Sequence, residues 1–244
     1  KTSTCPTQNL MEAYDMKDGT PFVWNNQSNP YDNRDPRMKY TIVCNEMKWP
    51  VDPVEIWEGG TNGLPLQNAT TTGYYLKKYV NNTISFEAGS TVTKKQHNWV
   101  LFRYGEILLN YAEAMINAFH DPNYKDAVYN MSAREAVNQI RGRTNISLPG
   151  FPSDITEKDF VKRLKNERRV ELAFEGHRFW DVRRWKELGQ TANIYGVKIT
   201  KNNEVISYEK FLLETRAVTD NMYFYPIPNT ERFKNPNLGQ NPGW

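Results

Sequence analysis

The sequence predicts a mainly α-helical fold that combines a tetratricopeptide-like helical hairpin and a long buried helix with extensive loops and a few short strands. Two observations predict the hairpin. Apolar residues recur at helical spacing over residues 99–118, and Ser132 and Glu135 form a capping box before a second helical segment. A third observation predicts the buried helix, because apolar side chains lie on nearly every face of residues 160–185.

The two helices of the hairpin are expected to pack closely. The apolar face of the first consists of Leu101, Tyr104, Leu108, Tyr111 and Met115. The second is expected to run from Ser132 to about Arg143. Small residues would allow the close approach that is typical of tetratricopeptide pairs. They are Ala112, Ala114, Ala133 and Ala136. Because only one such pair is visible, the chain is not itself a repeat array.

The long helix is predicted to begin at a Thr156 cap, with Asp159 three residues later, and to end near Gly189. Trp180 and Trp185 are expected to lie in the core, because they are placed on a helix that is apolar on several faces. The same reasoning predicts a core position for Trp99 on the first helix.

Charged residues lie among the apolar rows of the long helix, and a buried charge needs a partner. We expect Glu175 to pair with Arg178, and Asp181 to pair with Arg178 or Arg184. Glu113, Arg141 and Arg143 are further candidate partners from neighbouring helices. This charge network is expected to stabilise the fold and not to perform catalysis. Its predicted members are Arg103, Glu106, Glu167, Glu171, Glu175, Arg178 and Asp181.

Composition limits the possible partners. The chain has 244 residues and a formal net charge of only +3, from 31 Lys and Arg and 28 Asp and Glu. These charges are interleaved, so we expect no nucleic-acid partner. The sequence has no run long and apolar enough to cross a membrane. Because it starts at Lys1 without an apolar leader, we expect a processed product or an excised piece.

The cysteines do not indicate a metal site or a disulfide scaffold. Cys5 and Cys44 are too few and lack metal-ligand spacing. One bridge between them is compatible with an oxidising compartment, and the sequence leaves that question open. No cofactor motif occurs, so we expect neither a metal nor a cofactor.

The chain divides into a loop-rich region at residues 21–97, a helical core at 99–189, and a hairpin with an extended tail at 190–244. A short helix is expected between Cys5 and Thr20. In the loop-rich region Pro, Gly, Asn and Asp recur every few residues, with strand-like pieces such as residues 40–43. So long a loop region in a compact domain is usually functional.

Four blocks of sequence resemble the C-terminal part of the SusD/RagB family, the surface glycan-binding lipoproteins of Bacteroidetes nutrient-uptake systems. The blocks are Pro6–Gly19, Leu101–Ala114, Glu167–Trp185, and Tyr225–Pro228 together with the Asn-Pro-Gly ending. The third is the most specific, because a helix that mixes buried charge and tryptophan in this order is unlikely to arise by chance.

The resemblance implies the C-terminal part of a SusD-like α/α superhelical fold, with the N-terminal half of the protein outside this chain. It implies an outer-membrane, cell-surface location through a lipid on an N-terminal cysteine, which Cys5 is not. The implied ligand is an oligosaccharide or another nutrient. The implied partner is a SusC-like TonB-dependent transporter, to which the ligand is delivered.

A glycan site needs aromatic platforms for the flat faces of sugars and hydrogen-bonding groups for their hydroxyls. The loop-rich region supplies both kinds of side chain. Our candidate ligand-binding residues are Trp24, Tyr31, Asp32, Arg34, Trp49 and Trp57. The alternative for each aromatic residue is that it only attaches its loop to the core.

We do not expect an enzyme. The motifs of nucleophilic and metal-dependent hydrolases are absent, and the histidines are far apart in sequence. Two alternatives remain open. A glycoside hydrolase needs only two carboxylates, for which Asp32, Asp35 and Glu58 are candidates. A tetratricopeptide-like scaffold would instead bind a protein through the helical hairpin.

Overall fold

The computed structural model of the protein describes residues 4–25, 29–84, 93–98 and 100–244. The expected mainly α fold with few strands is confirmed. The helices are α1 (Gln8–Met11), α2 (Pro36–Thr41), α3 (Tyr104–Phe119), α4 (Ala133–Arg141), α5 (Glu157–Glu171), α6 (His177–Arg184) and α7 (Asn229–Lys234). The strands are β1 (Ile42–Val43), β2 (Tyr75–Leu76), β3 (Asn193–Asn202) and β4 (Val205–Thr215).

Helices α3 and α4 form the predicted hairpin. The capping box of α4 is present, because Ser132 Oγ accepts from the Glu135 amide at 3.1 Å and Glu135 Oε2 accepts from the Ser132 amide at 2.8 Å. Ala112, Ala133 and Ala136 are fully buried where the helices meet. The hydrophobic side chains between α3, α4 and α5 form one cluster, here called the hairpin core. Its buried members are Leu108, Leu109, Ala112, Met115, Ile116, Ala133, Ala136, Val137, Ile140, Phe151, Phe160, Leu164 and Leu172.

Helix α3 begins five residues later than predicted. Arg103 is extended, with φ −145° and ψ 156°, and it precedes the first helical residue. Its guanidinium is held by Glu171 and Glu175, which lie outside α3. Leu101 is consequently not on the helix and is exposed. The helical spacing of apolar residues could not predict these ion pairs of Arg103, which hold the residue outside the helix.

The long helix of the prediction is in fact two helices. Thr156 caps α5 as expected, but the helix stops at Glu171 and α6 begins at His177. Phe174 at φ 61° and Gly176 at φ 83° adopt left-handed backbone, which ends an α-helix. The carbonyl oxygens freed by the break accept from buried cations. Arg103 donates to the Glu171 carbonyl at 2.6 Å, and Lys78 donates to the Ala173 carbonyl at 2.8 Å.

The prediction of buried tryptophans on this segment is largely wrong. Trp180 is 60% exposed on α6. Trp185 is half-buried, with Nε1 donating to Glu113 at 2.8 Å. Trp99 lies outside the described residues. The left-handed residues Phe174 and Gly176 interrupt the helical repeat, so the helical wheel drawn through residues 160–185 does not apply beyond Glu171.

The loop-rich region packs against the β hairpin through a second cluster, here called the loop core. Strands β3 and β4 pair antiparallel as predicted, but they extend further than expected, and the turn is at Asn203 and Glu204, one residue later than the predicted Asn202 and Asn203. The Val197 amide of β3 donates to the Thr72 carbonyl at 3.0 Å. The buried members of the loop core are Met11, Ala13, Tyr14, Tyr31, Met38, Ile42, Val43, Cys44, Val54, Ile56, Tyr74, Val170, Val197, Ile199 and Tyr208.

The C-terminal tail is extended in part only. It contains α7, which Pro228 precedes at the N-cap position. Trp244 Nε1 donates to the carbonyls of Asn221 and Phe224 at 3.0 and 3.1 Å, so the tail folds back on itself. The proline-rich pattern predicted an extended chain because proline disfavours helix interiors, but proline is compatible with a helix start.

A network of buried ion pairs joins α5 to three other segments. Glu171, which is 6% exposed, accepts from Arg37 at 2.9 Å and from Arg103 at 2.6 Å. It also accepts from Arg143 at 2.8 Å. Arg37 belongs to α2, Arg103 precedes α3, and Arg143 follows α4. One carboxylate therefore fixes α5 against the loop-rich region, the start of α3 and the residues after α4.

Glu167 lies one turn before Glu171 and extends this network. It accepts from Arg37 at 2.5 Å and from Arg141 at 2.7 Å. Arg37 also contacts Asp35 at 2.7 Å, so its charge meets three carboxylates. The sequence identified both glutamates but missed Arg37 and Asp35. Helix α2 itself was not predicted, because the sequence placed residues 21–97 in a loop-rich region.

A second group of ion pairs centres on Asp181. This buried carboxylate accepts from Arg168 at 2.8 Å and from Arg184 at 2.9 Å. Arg184 also pairs with Glu113 of α3. The expected Asp181 to Arg184 pair is therefore present, and it connects α6 to α3 and α5.

Some expected pairs of the network do not form. Glu175 pairs with Arg103 and Lys78, at 2.6 Å each, and not with Arg178. Arg178 instead donates to the neutral Gln190 at 2.9 Å. The helix break explains both differences, because it separates residue 175 from the helical turn of residue 178.

Glu106 is buried, and a histidine, not an arginine, lies beside its carboxylate. His177 Nε2 lies 3.6 Å from its carboxylate. Arg103 and Arg143, the other predicted network members near the helical hairpin, both contact Glu171 instead.

The environment of Glu171 strongly favours its charged form. Burial alone would raise the pKa of the carboxyl, but Arg37, Arg103 and Arg143 outweigh burial and lower the pKa to about 2. Glu167 shows the same balance, with burial opposed by Arg37 and Arg141, and its pKa is also lowered. Both carboxylates are therefore ionised at neutral pH.

Replacing Glu171 should destabilise the protein severely. Glu171→Ala leaves three guanidinium groups without their shared carboxylate, which we expect to reduce the free energy of unfolding by about 3 to 5 kcal/mol. Chemical denaturation measures this change. Glu204→Ala is the matched control, because the Glu204 side chain is 95% exposed and its loss should change stability by about 0.5 kcal/mol or less. Equal midpoints for the two variants would contradict the structural role of Glu171.

Acid should remove the stabilisation that Glu171 supplies. Its pKa is about 2 in the folded protein and 4.5 as an ordinary glutamate. Between these values the unfolded chain binds more protons, so the contribution is complete above pH 4.5 and is lost as the pH falls towards 2. We expect the free energy of unfolding of wild type to exceed that of Glu171→Gln by about 3 kcal/mol at neutral pH. This difference should shrink as the pH falls. A difference that stays constant down to about pH 3 would refute this linkage.

Candidate functional site

Two of the predicted ligand-binding residues are interior residues in the structure. Tyr31 is 6% exposed and makes edge-to-face contacts with Tyr74 and Tyr208, at centroid distances of 6.2 and 5.4 Å. It is therefore part of the loop core, and its ring offers no face to a sugar. The alternative considered for each loop aromatic, that it attaches its loop to the core, applies to Tyr31.

Arg34 also serves the fold. Its guanidinium donates to the carbonyls of Met11 and Tyr14 at 2.7 Å each and to that of Pro30 at 2.8 Å. It lies 3.6 Å from the centroid of the Phe22 ring. Arg34 thus satisfies carbonyl groups at the end of α1, which is a structural task that the sequence pattern did not reveal.

Trp24 lies at the surface of the loop core. Its ring is partly buried and meets Phe22 edge to face at 6.5 Å. Phe22 in turn lines a cavity of about 460 Å³ along α5. This position attaches one part of the Trp24 ring to the core and brings it close to a concave surface.

Trp49 and Trp57 also pack partly against the loop core, each beside a lysine. Lys77 Nζ lies 4.8 Å from the Trp49 ring, and Lys201 Nζ lies 4.6 Å from the Trp57 ring. Asp32 is exposed. These residues surround one apolar cluster, but each has different immediate neighbours, so the structure does not gather the predicted set into a single arrangement.

A cavity of about 210 Å³ lies next to Trp57. Ile56 and Glu58 line it from the loop-rich region, and Val197, Ile199 and Phe211 line it from the β hairpin. The lining is mainly apolar, which suits the C–H face of a sugar ring. Glu58 contacts Lys198 at 3.4 Å at the same place.

A third cavity, of about 360 Å³, combines two exposed tyrosines with the charge network. Tyr40 and Tyr79 line it and are 56% and 50% exposed. Lys78, Arg103 and Arg143 supply donors from its other side. Sequence reasoning missed both tyrosines. Tyr40 was placed in a strand-like piece, whereas it lies near the end of α2, where its side chain faces water.

The carboxylates considered for glycoside hydrolysis do not form a matched pair in the structure. Asp35 caps α2 and accepts from the Arg37 side chain through both oxygens, at 2.7 to 3.1 Å. Glu58 lies by Lys198, and Asp32 is exposed. A hydrolase needs one free acid and one free base across a sugar bond, and the buried Asp35 to Arg37 pair does not offer either.

Cys5 and Cys44 are both free thiols in the structure. Burial raises the pKa of the Cys44 thiol to about 12, so it is not a reactive nucleophile. Among the described residues, no group of three or more His, Cys, Asp or Glu side chains is arranged to hold a metal ion. A search of the same residues finds no helix with the length and apolarity that a membrane span needs.

Comparison with known proteins identifies a family match over the whole chain and relatives over about 60% of it. The family model of the SusD family matches residues 1–244. SusD-like protein P2 of Formosa agariphila is 29% identical over 163 residues, which are 64% of this chain and 28% of that protein. SusD-like protein P38 of the same organism is 37% identical over 150 residues, which are 59% of this chain and 24% of that protein.

Solved structures share the fold. A SusD-like protein from Bacteroides fragilis superposes with a TM-score of 0.80 and 28% identity, covering 98% of this chain and 47% of the other. A SusD superfamily protein from Bacteroides vulgatus superposes with a TM-score of 0.56 and 21% identity, covering 98% and 44%. The chain therefore spans less than half the length of these solved relatives.

The family match extends over every block of sequence that carried the resemblance, including the charged helix α5 and the aromatic residues that follow it. The helical hairpin, α5 and the tail occur in an order that superposes on a SusD-like structure over nearly the whole chain. The chain belongs to the SusD family.

Proposed function

We propose that this chain is the C-terminal part of a cell-surface glycan-binding protein that delivers oligosaccharides to a SusC-like TonB-dependent outer-membrane transporter. The observation that carries the proposal is the SusD family match over residues 1–244. Membership supports a role in glycan binding and nutrient uptake in principle. The transporter partner is proposed from the family, in which a SusC-type partner is general.

We further propose that the full-length protein is attached to the outer membrane by a lipid. SusD-like proteins are typically surface lipoproteins of the outer membrane. The lipid would be carried by residues beyond this chain, because the solved relative is about twice as long as the part that superposes.

The proposed glycan site is a set of separate contacts around the loop core, made by Trp24, Trp49 and Trp57 with Asp32. Each tryptophan is attached to the loop core by part of its ring. Such a ring is already ordered before a ligand arrives, which lowers the entropy cost of stacking a sugar on it. We add Tyr40 and Tyr79 to the site, because they are exposed beside donors that can bind hydroxyls.

The expected affinity is modest. Covering half of an aromatic side chain of about 150 to 250 Å² gains roughly 2 kcal/mol at about 25 cal/mol per Å². Two such platforms with a few hydrogen bonds, less the cost of ordering the ligand, correspond to a Kd in roughly the millimolar to micromolar range. Weak binding suits a protein that must release its ligand to a transporter.

We propose that the protein binds glycans without cleaving them. SusD-like proteins are generally non-catalytic binding proteins. The Asp35 to Arg37 pair supports this proposal, because it removes one of the candidate carboxylates from any acid and base pair. Reducing ends that accumulate steadily during incubation with a glycan panel would overturn it.

Truncating the loop tryptophans should weaken glycan retention. We expect Trp49→Ala and Trp57→Ala each to reduce retention in affinity electrophoresis by about fivefold or more, because each removes a stacking surface. Both rings are partly buried, so a drop of a few degrees in the melting temperature is also expected. Glycan retention should fall by much more than this stability change explains.

Trp180→Ala is the matched control for these variants. Trp180 is 60% exposed on α6 and lies outside the loop-rich region, so its removal should leave retention unchanged. Full retention by both Trp49→Ala and Trp57→Ala, or an equal loss in the control, would count against the proposed site.

A further inference from the structure

The cavity of about 460 Å³ along α5 carries an excess of positive charge. Its cationic lining residues are Lys158, Lys162, Arg163, Lys165, Arg169 and Arg178. The carboxylates that line it are Glu12, Asp15 and Glu187. Because the cationic lining residues outnumber the carboxylates two to one, the cavity wall as a whole attracts anions.

The carboxylates of this cavity already have partners. Glu187 contacts Lys165 at 2.5 Å, and Glu12 contacts Lys210 at 2.7 Å from outside the cavity. Asp15 lies 3.3 Å from Arg141, which belongs to the buried network. Arg163 lies 3.7 Å from the same Asp15 carboxylate, so Asp15 is shared between two arginines. The carboxylates of the cavity are therefore engaged by cations other than Arg169 and Arg178.

Arg169 and Arg178 are the cations that stand out. Arg169 donates to the Asn9 carbonyl at 2.8 Å, and Arg178 donates to the side-chain oxygen of Gln190 at 2.9 Å. Both acceptors are neutral. In the part of the chain that the structure describes, no carboxylate lies within 4.0 Å of either guanidinium.

These two arginines also line a neighbouring cavity of about 340 Å³, so they stand between two concave surfaces. Burial, together with the positive charge of Arg178, lowers the pKa of Arg169 to about 10. Burial likewise lowers the pKa of Arg178, against the opposing effects of Glu187 and Asp181. Two like charges are thus held near each other in a partly dehydrated place. A bound anion would offset both their mutual repulsion and the cost of their burial.

Gln190 is positioned as an acceptor that a ligand can replace. Its amide donates to Glu187 at 2.9 Å, while its oxygen accepts from Arg178. Glu187 is itself held by Lys165. An incoming oxyanion would exchange a neutral acceptor for a charged one at Arg178, and a charge-assisted hydrogen bond is the stronger of the two.

We propose that this cavity binds the anionic group of an acidic oligosaccharide, either a uronate carboxylate or a sulfate ester, through Arg169 and Arg178. The inference rests on the proposed glycan-binding function and names its substrate class. Guanidinium forks match the geometry of both oxyanions. Phe22 lines the same cavity and touches Trp24, so a sugar ring bound at the mouth would have an aromatic neighbour.

The test compares charged and neutral forms of the same glycan. Calorimetric titration would use oligogalacturonate and its methyl-esterified form for the carboxylate, and sulfated and unmodified dextran oligosaccharides for the sulfate. We expect one acidic ligand of these pairs to bind at least about tenfold more tightly than its neutral counterpart, and Arg178→Gln to abolish that difference. Which pair shows the effect identifies the oxyanion.

Two further variants separate recognition from general charge. Arg178→Lys keeps the charge but loses the planar fork, so it should restore only part of the affinity. Arg216→Gln is the matched control, because Arg216 is exposed just after β4 and its side chain pairs with Glu214 at 3.0 Å. It should leave acidic binding unchanged. Melting temperatures should be alike for all three variants, since Arg178 makes a single hydrogen bond.

Equal affinity of wild type and Arg178→Gln for every acidic ligand would overturn this inference. Acidic binding that Arg216→Gln weakens equally would overturn it too, because that result indicates diffuse attraction. After either of these two results, neutral glycans that still bind, and bind less tightly to Trp57→Ala, would support the proposed glycan-binding function without the anion site. If no glycan binds, both proposals fail together.

Discussion

The interaction on which the structure depends most is the buried carboxylate of Glu171 with the guanidinium groups of Arg37, Arg103 and Arg143. The three arginines come from the loop-rich region and from both ends of the helical hairpin. A buried ion pair costs much desolvation energy, and it repays that cost only when its geometry is close to ideal. We hypothesise that this geometric requirement selects one register of α5 against its neighbours. Aliphatic side chains of similar shape would allow more than one register.

The same network explains why α5 ends where it does. Arg103 and Lys78 donate to backbone carbonyls at the break, so the carbonyls that lose their helical partners remain satisfied. The break also interrupts the helical repeat between α5 and α6. As a result Arg178 leaves the network, faces Gln190, and joins Arg169 beside the cavity. Stabilisation and the proposed anion recognition therefore originate in one stretch of sequence.

The loop-rich region shows an equivalent division of roles. Tyr31 and Arg34 are committed to the interior, where they order the loop and the end of α1. Trp24, Trp49 and Trp57 are only partly buried, with part of each ring packed against the loop core. A binding surface built on such attached rings loses little entropy when a ligand arrives, which allows a useful affinity without tight retention.

The sequence by itself determined the mainly α class, the helix caps at Ser132 and Thr156, the β hairpin and the glutamates of the network, because these follow from local periodicity and from the cost of burying charge. Family membership also followed from sequence, through the block around α5. Only the tertiary structure decided which arginine meets Glu171, where α5 breaks, and which aromatic residues face water. These outcomes depend on contacts between residues far apart in the chain. Glu171 and Arg37, for example, are separated by 134 positions, and no local pattern encodes their distance.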